Sequence, residues 1–272
     1  MQGGGGGGGG GDDDELGLQG VDEHQQPPPA MEIGWPTDVR HVAHVTFDRF
    51  HGFRGVPEEL QAEVDGRPPS ASKTVFGVST ESMQCSYDAR GNSVPTILLH
   101  LQRRLCLKAE GIFRIAADAA QEQRARDHLN TTGDVPEEGI DVHCIAGLIK
   151  AWFRELPGGL LDSLPPEEVM RCQTEEDCAR LCAARLAPSK AALLDWAVNL
   201  MADVAREEKA NKMGTRNVAM VFAPNMTQAV DPLTALKYAV HVMNFLNMLI
   251  ERALKQDQQP SSSSASSKPV KN

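Results

Sequence analysis

The sequence lacks the features that define several large classes of protein. It contains no apolar run of about 18 residues, so it predicts no transmembrane helix. Its first residues form no signal sequence, Gln2 excludes N-myristoylation, and the ending Lys268–Asn272 is no prenylation motif. The net charge of −10 argues against binding to the phosphate backbone of nucleic acids. We therefore expect a cytoplasmic protein whose partners are proteins with basic or mixed surfaces.

Sequence patterns suited to covalent or metal chemistry are also lacking. The chain has two tyrosines, three tryptophans and no recognisable nucleophile motif. Its six cysteines are scattered, and although Cys178 and Cys182 stand four apart on a predicted helix, their neighbourhood lacks the spacing of a zinc site. Buried free thiols in a reducing compartment are the favoured interpretation. We expect neither a metal nor a cofactor to be bound by this chain.

Both ends of the chain have the composition of disordered segments. Residues 1–30 contain the glycine run Gly3–Gly11 and the acidic run Asp12–Glu15, and residues 256–272 are rich in serine. Such segments cannot bury enough apolar surface to offset the loss of chain entropy on folding. The sequence therefore predicts disordered tails on both sides of a folded region.

Between residues 92 and 255 the apolar residues recur with helical spacing almost throughout. Ser93 is the predicted N-cap of the first helix. The apolar stripe behind that cap consists of Val94, Ile97, Leu98, Leu101 and Leu105. Asp118 together with Gln121 predicts a capping box for a second helix that runs through Leu129.

The same spacing continues to the end of the folded region. Asp141 caps a helix over residues 142–155, which Pro157 ends because its ring cannot continue a helix. One or two helices are predicted over residues 166–186, and a long helix is predicted to begin at Ser189. A short helix is predicted to begin at Thr215 and to end before Pro224. Asp231 and Pro232 are predicted to begin the last helix. The sequence thus predicts an all-α domain over residues 75–255.

The region ahead of this domain has a different character. Residues 33–47 contain Trp35, Pro36 and several β-branched residues without helical spacing, so they predict an extended segment. The stretch Arg67–Ser72 is rich in proline and predicts a stiff linker.

Three blocks in the helical domain carry the charged residues of most interest. They are Gly111-Ile-Phe-Arg114, Lys150-Ala-Trp-Phe-Arg154-Glu-Leu-Pro157, and the stretch from Asn211 through Asn217 to Asn225. Taken singly, each block has an ordinary interpretation. Arg114 could be a solvated charge, and Lys150 and Arg154 could form a solvated helix face on which Glu155 pairs with Arg154. Asn217 could cap a turn near Thr215, and Asn225 could be a turn residue. Taken together, their order and spacing resemble Rho-type GTPase-activating protein (RhoGAP) domains over roughly residues 75–255.

The resemblance implies a role for each residue. In RhoGAP domains the arginine at the position of Arg114 is the catalytic finger. The residues at the positions of Lys150, Arg154 and Asn217 brace the finger loop and contact the switch regions of the GTPase. GTP and Mg²⁺ then belong to the partner, and this chain has no hydrolase active site of its own.

One departure from the family pattern follows the second block. RhoGAP domains commonly continue after Pro157 with Glu-Pro-Leu, whereas this chain has Gly158 and Gly159 followed by two leucines. Glycines widen the choice of backbone conformations, so we expect a looser loop at the end of the helix that carries Lys150.

The extended segment resembles a CRIB motif, the Cdc42/Rac-interactive binding element. The matching residues are Ile33, Pro36, His41, His44 and Val45, and the departures are Gly34 for serine, Val39 for phenylalanine and Thr46 for glycine. In CRIB proteins the extended chain adds to the edge of the GTPase sheet. A metal-binding histidine pair and a surface pair without a role are the alternatives, and no further ligand lies near the pair in sequence.

A CRIB motif followed by a RhoGAP domain is distinctive of plant regulators of Rop GTPases, and the whole chain resembles such a RopGAP. The expected order is a tail over 1–30, the CRIB motif over 31–50, a linker over 51–74, the RhoGAP domain over 75–255 and a tail over 256–272.

The resemblance implies that the chain binds a GTP-loaded Rho-family (Rop or Rac) GTPase, inserts Arg114 and accelerates GTP hydrolysis, which ends the signal. The alternative is a noncatalytic effector or scaffold that only recognises the GTPase. A lipidated partner would recruit the cytoplasmic chain to the plasma membrane. Residues 48–74, as a flexible tether, would hold the second contact at high effective concentration.

Overall fold

The computed structural model describes residues 37, 39–60, 74–136, 139–228 and 232–258, without the side chains of residues 47, 232–237 and 258. The chain divides into two compact units, residues 1–41 and 42–272. In the first unit the described residues, 37 and 39–41, are exposed and have no regular secondary structure. The predictions for residues 1–30, for Ile33 and Pro36, for the linker Arg67–Ser72, for Asp231 and for residues 259–272 lie outside the described residues.

The second unit is mostly helical, which confirms the predicted fold class. Its helices in the described part of the chain are α1 (Thr96–Arg103), α2 (Ala119–Thr132), α3 (Val142–Glu155), α4 (Pro166–Arg171), α5 (Glu175–Arg185), α6 (Pro188–Arg206), α7 (Glu208–Asn211), α8 (Thr215–Met226) and α9 (Pro232–Gln258). Two short 3-10 helices, Glu58–Leu60 and Thr80–Ser82, precede them. Helix α9 continues through residues 256–258, so the predicted C-terminal tail is wrong for those three residues.

Two small antiparallel sheets accompany the helices. Strand β1 (Thr46–Asp48) pairs with β2 (Gly52–Arg54), and β3 (Cys85–Tyr87) pairs with β4 (Ser93–Pro95). The predicted cap at Ser93 is therefore wrong, because this residue lies in β4 and α1 begins only at Thr96. The physical reason is Pro95, which lacks an N–H and restricts the residue before it to an extended conformation.

The N-caps at Asp118 and Asp141 are confirmed, whereas the predicted capping box is only half formed, because the side chain of Gln121 bonds Gly139 and Asp141 instead. The side chain of Asp118 accepts a hydrogen bond from the backbone N–H of Gln121, and the side chain of Asp141 accepts one from the N–H of His143. Each cap satisfies a backbone donor that the first turn of a helix leaves free. Helix α3 accordingly has the predicted bounds, whereas α2 runs past the predicted end to Thr132.

The predicted end of α8 before Pro224 is wrong. The helix continues through this proline to Met226. Pro224 lies in the last turn, where its missing N–H removes only the helical bond to the carbonyl of Met220. The side-chain amide of Asn225 donates to the carbonyl of Val221 at 2.7 Å. Asn225 is consequently a helical residue and not the turn residue that the sequence suggested.

A cluster of buried aromatic rings joins the central helices. Phe153 of α3 and Phe222 of α8 have ring centroids 6.3 Å apart, and Phe153 lies at the same distance from Trp196 of α6. Phe113, in the loop between α1 and α2, joins the cluster with its centroid 4.8 Å from that of Phe222. Burial of each ring contributes about 1.5–3 kcal/mol, and each ring pair adds about 0.5–1.5 kcal/mol. The loop at Phe113 is thus fixed to the core of the domain.

The N-terminal hairpin of β1 and β2 is fixed to the second sheet. Arg49 donates to the Sγ of Cys85 at 3.2 Å and to the Oγ of Ser93 at 3.1 Å, and its carbonyl accepts from the N–H of Cys85 at 2.5 Å. The next residue, Phe50, stacks on Tyr87 with ring centroids 4.8 Å apart. The prediction of a flexible tether over residues 48–74 is therefore wrong for residues 48–54.

Candidate functional site

The loop that carries Arg114 has an unusual backbone. Gly111 and Phe113 both have positive φ, 63° and 66°. The carbonyl of Gly111 accepts from the N–H groups of Arg114 and Ile115, both at 2.9 Å. The positive φ favours glycine at position 111, and a Cβ there would also displace the exposed side chain of Ile115, 2.7 Å away. Residues 111–115 therefore form a tight, internally bonded turn, which is called the finger loop below.

Phe113 holds the finger loop in place from inside the domain. Its side chain is fully buried, while the next residue, Arg114, is exposed. A phenylalanine with positive φ is strained, and such strain persists only where the surroundings enforce it. The contact with Phe222 supplies that enforcement. Within the part of the chain that the structure describes, the guanidinium of Arg114 has no hydrogen bond or ion pair, so it is available to a partner.

Lys150 of α3 is bonded to the finger loop. Its Nζ donates to the carbonyl oxygen of Phe113 at 2.5 Å. Because the lysine is half-buried, loss of solvation lowers its pKa from the ordinary value of 10.5, while the carboxylate of Glu122 opposes the shift and Arg154 adds to it. The interpretation of Lys150 as a purely solvated charge is therefore wrong, since its charged end is bonded to the residue next to Arg114.

Arg154 and Asn217 have hydrogen-bond partners outside the finger loop. Arg154 is exposed and donates to the Oδ1 of Asn225 at 3.1 Å. Glu155 does not serve Arg154 as the sequence suggested, because Arg126 of α2 holds it with two bonds of 2.6 and 2.7 Å. Asn217 is exposed on α8, and its side-chain amide reaches the carbonyl of Lys212 at 3.5 Å. In the described residues, then, Lys150 is bonded to the finger loop and these two side chains are bonded elsewhere.

The glycine pair after α3 is tightly held, which contradicts the expected loosening. Gly158 uses a positive φ of 62°, and the N–H of Gly159 donates to Asp162 at 2.7 Å. A Cβ at Gly159 would lie 2.8 Å from the carbonyl oxygen of Met226, so glycine permits this close approach of α8. Leu161 completes the connection by donating its N–H to the same carbonyl at 3.0 Å.

Asn211, whose sequence pattern predicted no role, lies beside the finger loop. This residue is fully buried, and its carbonyl oxygen accepts from the N–H of Gly111 at 2.7 Å. An asparagine inside an otherwise polar stretch gives no signal of burial, because its contacts with Leu107 and Gly111 lie about a hundred residues away in the sequence. The only signal was its position at the start of the third block.

The CRIB residues that the structure describes are His41, His44 and Val45. All three are exposed and lie in a stretch, residues 39–45, without regular secondary structure. Among the described residues, no three histidine, cysteine or acidic side chains are grouped so that they could hold a metal ion. The extended and accessible backbone at this position is compatible with strand addition to a partner.

The six cysteines are all free thiols. The prediction of burial is correct for Cys85, Cys144 and Cys178 and wrong for Cys106, which is exposed. Loss of solvation raises the pKa of Cys144 to about 11, which leaves the thiol protonated and unreactive at neutral pH. In the described part of the chain, no helix is both long enough and apolar enough to cross a membrane.

The fold is that of RhoGAP helical domains. A solved structure of human Rho GTPase activating protein 15 superposes with a TM-score of 0.56 over 72% of this chain and 96% of that one. The two sequences are only 17% identical, so this likeness concerns the fold alone.

The sequence comparisons identify the family. The RhoGAP domain model matches residues 94–231, and the P21-Rho-binding domain model matches residues 32–78. The chain belongs to the RhoGAP family, with a P21-Rho-binding domain ahead of the RhoGAP domain, as the CRIB resemblance predicted. The second match also runs through residues 51–74, which the sequence analysis assigned to a linker.

Curated relatives agree with this assignment. Rho GTPase-activating protein 3 of Arabidopsis thaliana is 66% identical over 231 residues, which cover 84% of this chain and 50% of the relative. Rho GTPase-activating protein 5 of the same plant is 58% identical over 237 residues, which cover 85% of this chain and 70% of the relative. The chain spans about half the length of Rho GTPase-activating proteins 1 to 4 of Arabidopsis thaliana.

Proposed function

We propose that this protein is a GTPase-activating protein for Rho-family GTPases, of the Rop or Rac type, in their GTP-bound state. The observation that carries the proposal is the finger loop: Arg114 is exposed and unpaired among the described residues, while Phe113 beside it is buried and bonded by Lys150. Such a loop presents one guanidinium on a rigid base. The names of the Arabidopsis relatives and the P21-Rho-binding match support the choice of partner.

The chemistry explains why an arginine is presented in this way. Hydrolysis of GTP spreads negative charge over the γ-phosphate and the oxygen that bridges it to the β-phosphate. A planar guanidinium, which is always charged, stabilises that charge with paired donors once water is excluded. GTP, Mg²⁺ and the attacking water are supplied by the GTPase. Arg114 is therefore the one catalytic residue that we assign to this chain.

Rigidity of the finger loop matters because the arginine must enter another molecule. Ordering a loop during binding consumes part of the free energy of association, and a loop that is already ordered avoids this cost. The bond of 2.5 Å from Lys150 to Phe113 and the buried ring of Phe113 both act before the partner arrives. We accordingly assign Lys150 a positioning role. Arg154 and Asn217 are both exposed on the adjoining helices, and we assign them direct contact with the GTPase.

The P21-Rho-binding segment would supply a second contact to the GTPase. We propose that Ile33, Pro36, His41, His44 and Val45 bind along the edge of its sheet. A GTPase with a lipid anchor would bring the otherwise cytoplasmic chain to the plasma membrane.

Phosphate release under single-turnover conditions tests the proposal. We expect this chain to accelerate hydrolysis by GTP-loaded Rop and Rac proteins by several orders of magnitude and to leave a Ras-type GTPase near its intrinsic rate. Binding to GTP-loaded Rop without acceleration would identify a noncatalytic effector instead. An absence of both binding and acceleration across the Rho family would refute the assignment of the partner.

The histidine pair allows a separate test of the P21-Rho-binding segment. Replacing His41 and His44 with alanine should raise the GTPase concentration for half-maximal stimulation by about tenfold, which corresponds to about 1.4 kcal/mol. The saturated rate should stay unchanged, because the finger loop is untouched. His128→Ala, at an exposed histidine of α2, is the matched control. An unaltered titration curve for the double variant would remove the histidines from the interface.

A further inference from the structure

Asn211 is one of two polar residues, with Thr80, that are buried among the described residues. It lies at the end of α7 and is completely inaccessible to solvent. Buried polar groups are costly unless they are hydrogen-bonded, so a buried asparagine calls for an account of its partners.

Every polar group of the Asn211 side chain has a partner. The amide nitrogen donates to the carbonyl oxygens of Leu107 and Val204, both at 2.7 Å. The amide oxygen accepts from the N–H of Met213 at 2.7 Å. These bonds connect the segment that leads into the finger loop, the last turn of α6 and the turn that leads into α8.

The main chain of Asn211 adds the connection to the finger loop itself. Its carbonyl oxygen accepts from the N–H of Gly111 at 2.7 Å, at the first residue of the loop. The side chain and the main chain of one residue therefore hold residues 107 and 111, the two points between which the chain turns toward Arg114. Lys150 holds the same loop at a second point, the carbonyl of Phe113.

We propose that Asn211 is a positioning residue for the arginine finger. Its side chain fixes residues 107, 204 and 213, which keeps its main-chain carbonyl in place to hold Gly111, and it is buried away from any partner. The proposal rests on the proposed function, because it assumes that the position of Arg114 determines the rate of hydrolysis.

The chemistry of the site selects asparagine. The position requires two donors directed at two carbonyls and one acceptor directed at an N–H, and a side-chain amide offers this combination in one plane. An aspartate would bring carboxylate oxygens against the carbonyls of Leu107 and Val204. An alanine would leave both carbonyls and the N–H of Met213 buried without these partners.

The test compares Asn211→Ala with a matched control, Asn130→Ala. Asn130 also bonds a distant backbone group, the N–H of Val75 at 2.9 Å, but its bond lies outside the finger loop. Asn211→Ser, which keeps one hydroxyl donor, is the second variant should the alanine variant fail to fold. The measurements are the saturated rate of GTP hydrolysis, the Kd for the GTP-loaded GTPase, and hydrogen exchange of residues 107–115 without GTPase.

We expect the folded Asn211 variant to lower the saturated rate by about 100-fold, as a displacement of about 1 Å does in other sites, while the Kd stays within about twofold. In an Arg114→Ala background the same substitution should change the residual rate by no more than about twofold. Exchange over residues 107–115 should be faster than in Asn130→Ala.

Three results would overturn the proposal. They are a wild-type saturated rate in a folded Asn211 variant, an equal loss of rate in the Arg114→Ala background, and a parallel loss of rate and affinity like that of a generally destabilised domain. A wild-type chain that stimulates no GTPase would instead refute the proposed function. In that case hydrogen exchange still decides whether Asn211 holds the loop, and unchanged exchange would reject that role.

Discussion

Replacing Arg114 with alanine is expected to lower the stimulated rate of GTP hydrolysis by about 10³- to 10⁵-fold, the range known for arginine fingers in the Ras system. By the transition-state relation this range corresponds to about 4–7 kcal/mol from one side chain. The fold should be retained, because the side chain is exposed and carries no bond to the rest of the described chain. Binding should be largely retained, because the proposed contacts of Arg154, Asn217 and the P21-Rho-binding segment are untouched. The loss should therefore appear in the saturated rate and not in the Kd.

Two further variants make this test specific. Arg114→Lys keeps a positive charge but loses the forked donors, so we expect it to recover only a small part of the rate. Arg171→Ala is the matched control, since Arg171 is an exposed arginine of α4 whose guanidinium lies 3.9 Å from Glu167. A single-turnover assay with GTP-loaded Rop in which Arg114→Ala matches the wild type would contradict the assignment of the finger.

Local sequence signals correctly predicted the bounds of the helix that carries Lys150 and Arg154. The cap at Asp141 and the stop at Pro157 define α3, and its bounds follow because both effects act within one turn of the helix. With α3 defined, Lys150 and Arg154 fall on one side of it, four residues apart. The order of the three blocks then indicated the family.

Contacts between distant parts of the chain could not be read in the same way. The positive φ of Phe113 depends on Phe222 and Lys150, which follow it by 109 and 37 residues. The pairing of Glu155 with Arg126 likewise excludes the local partner Arg154. Backbone strain and ion-pair choice are settled by such tertiary contacts, and periodicity carries no information about them.

Replacing Lys150 with methionine is expected to lower the saturated rate by about 100-fold, because the finger loop loses one of its supports. Methionine keeps much of the shape of the side chain, so the change removes the charged donor to the carbonyl of Phe113. Lys190→Met is the matched control, since that half-buried lysine also donates to a carbonyl, that of Gly159 at 3.4 Å, away from the loop. Single-turnover rates at saturating concentration of each variant give the comparison.

The lowered pKa of Lys150 adds a signature that packing alone would not produce. Burial makes the folded chain release this proton at a lower pH than the unfolded chain, whose lysine titrates near 10.5. Between those two values the unfolded chain binds more protons, so the unfolding free energy of the wild type should rise with pH relative to Lys150→Met.

The stimulated rate should move in the opposite direction over the same pH window. The neutral amine is a weaker donor to Phe113 than the ammonium group, so the ratio of wild-type to Lys150→Met rates should fall as pH increases. Denaturant titrations and single-turnover rates across the alkaline range measure the two trends. A rate ratio that is constant with pH would mean that the charge of Lys150 plays no part in holding the finger, whatever the substitution does to the rate at neutral pH.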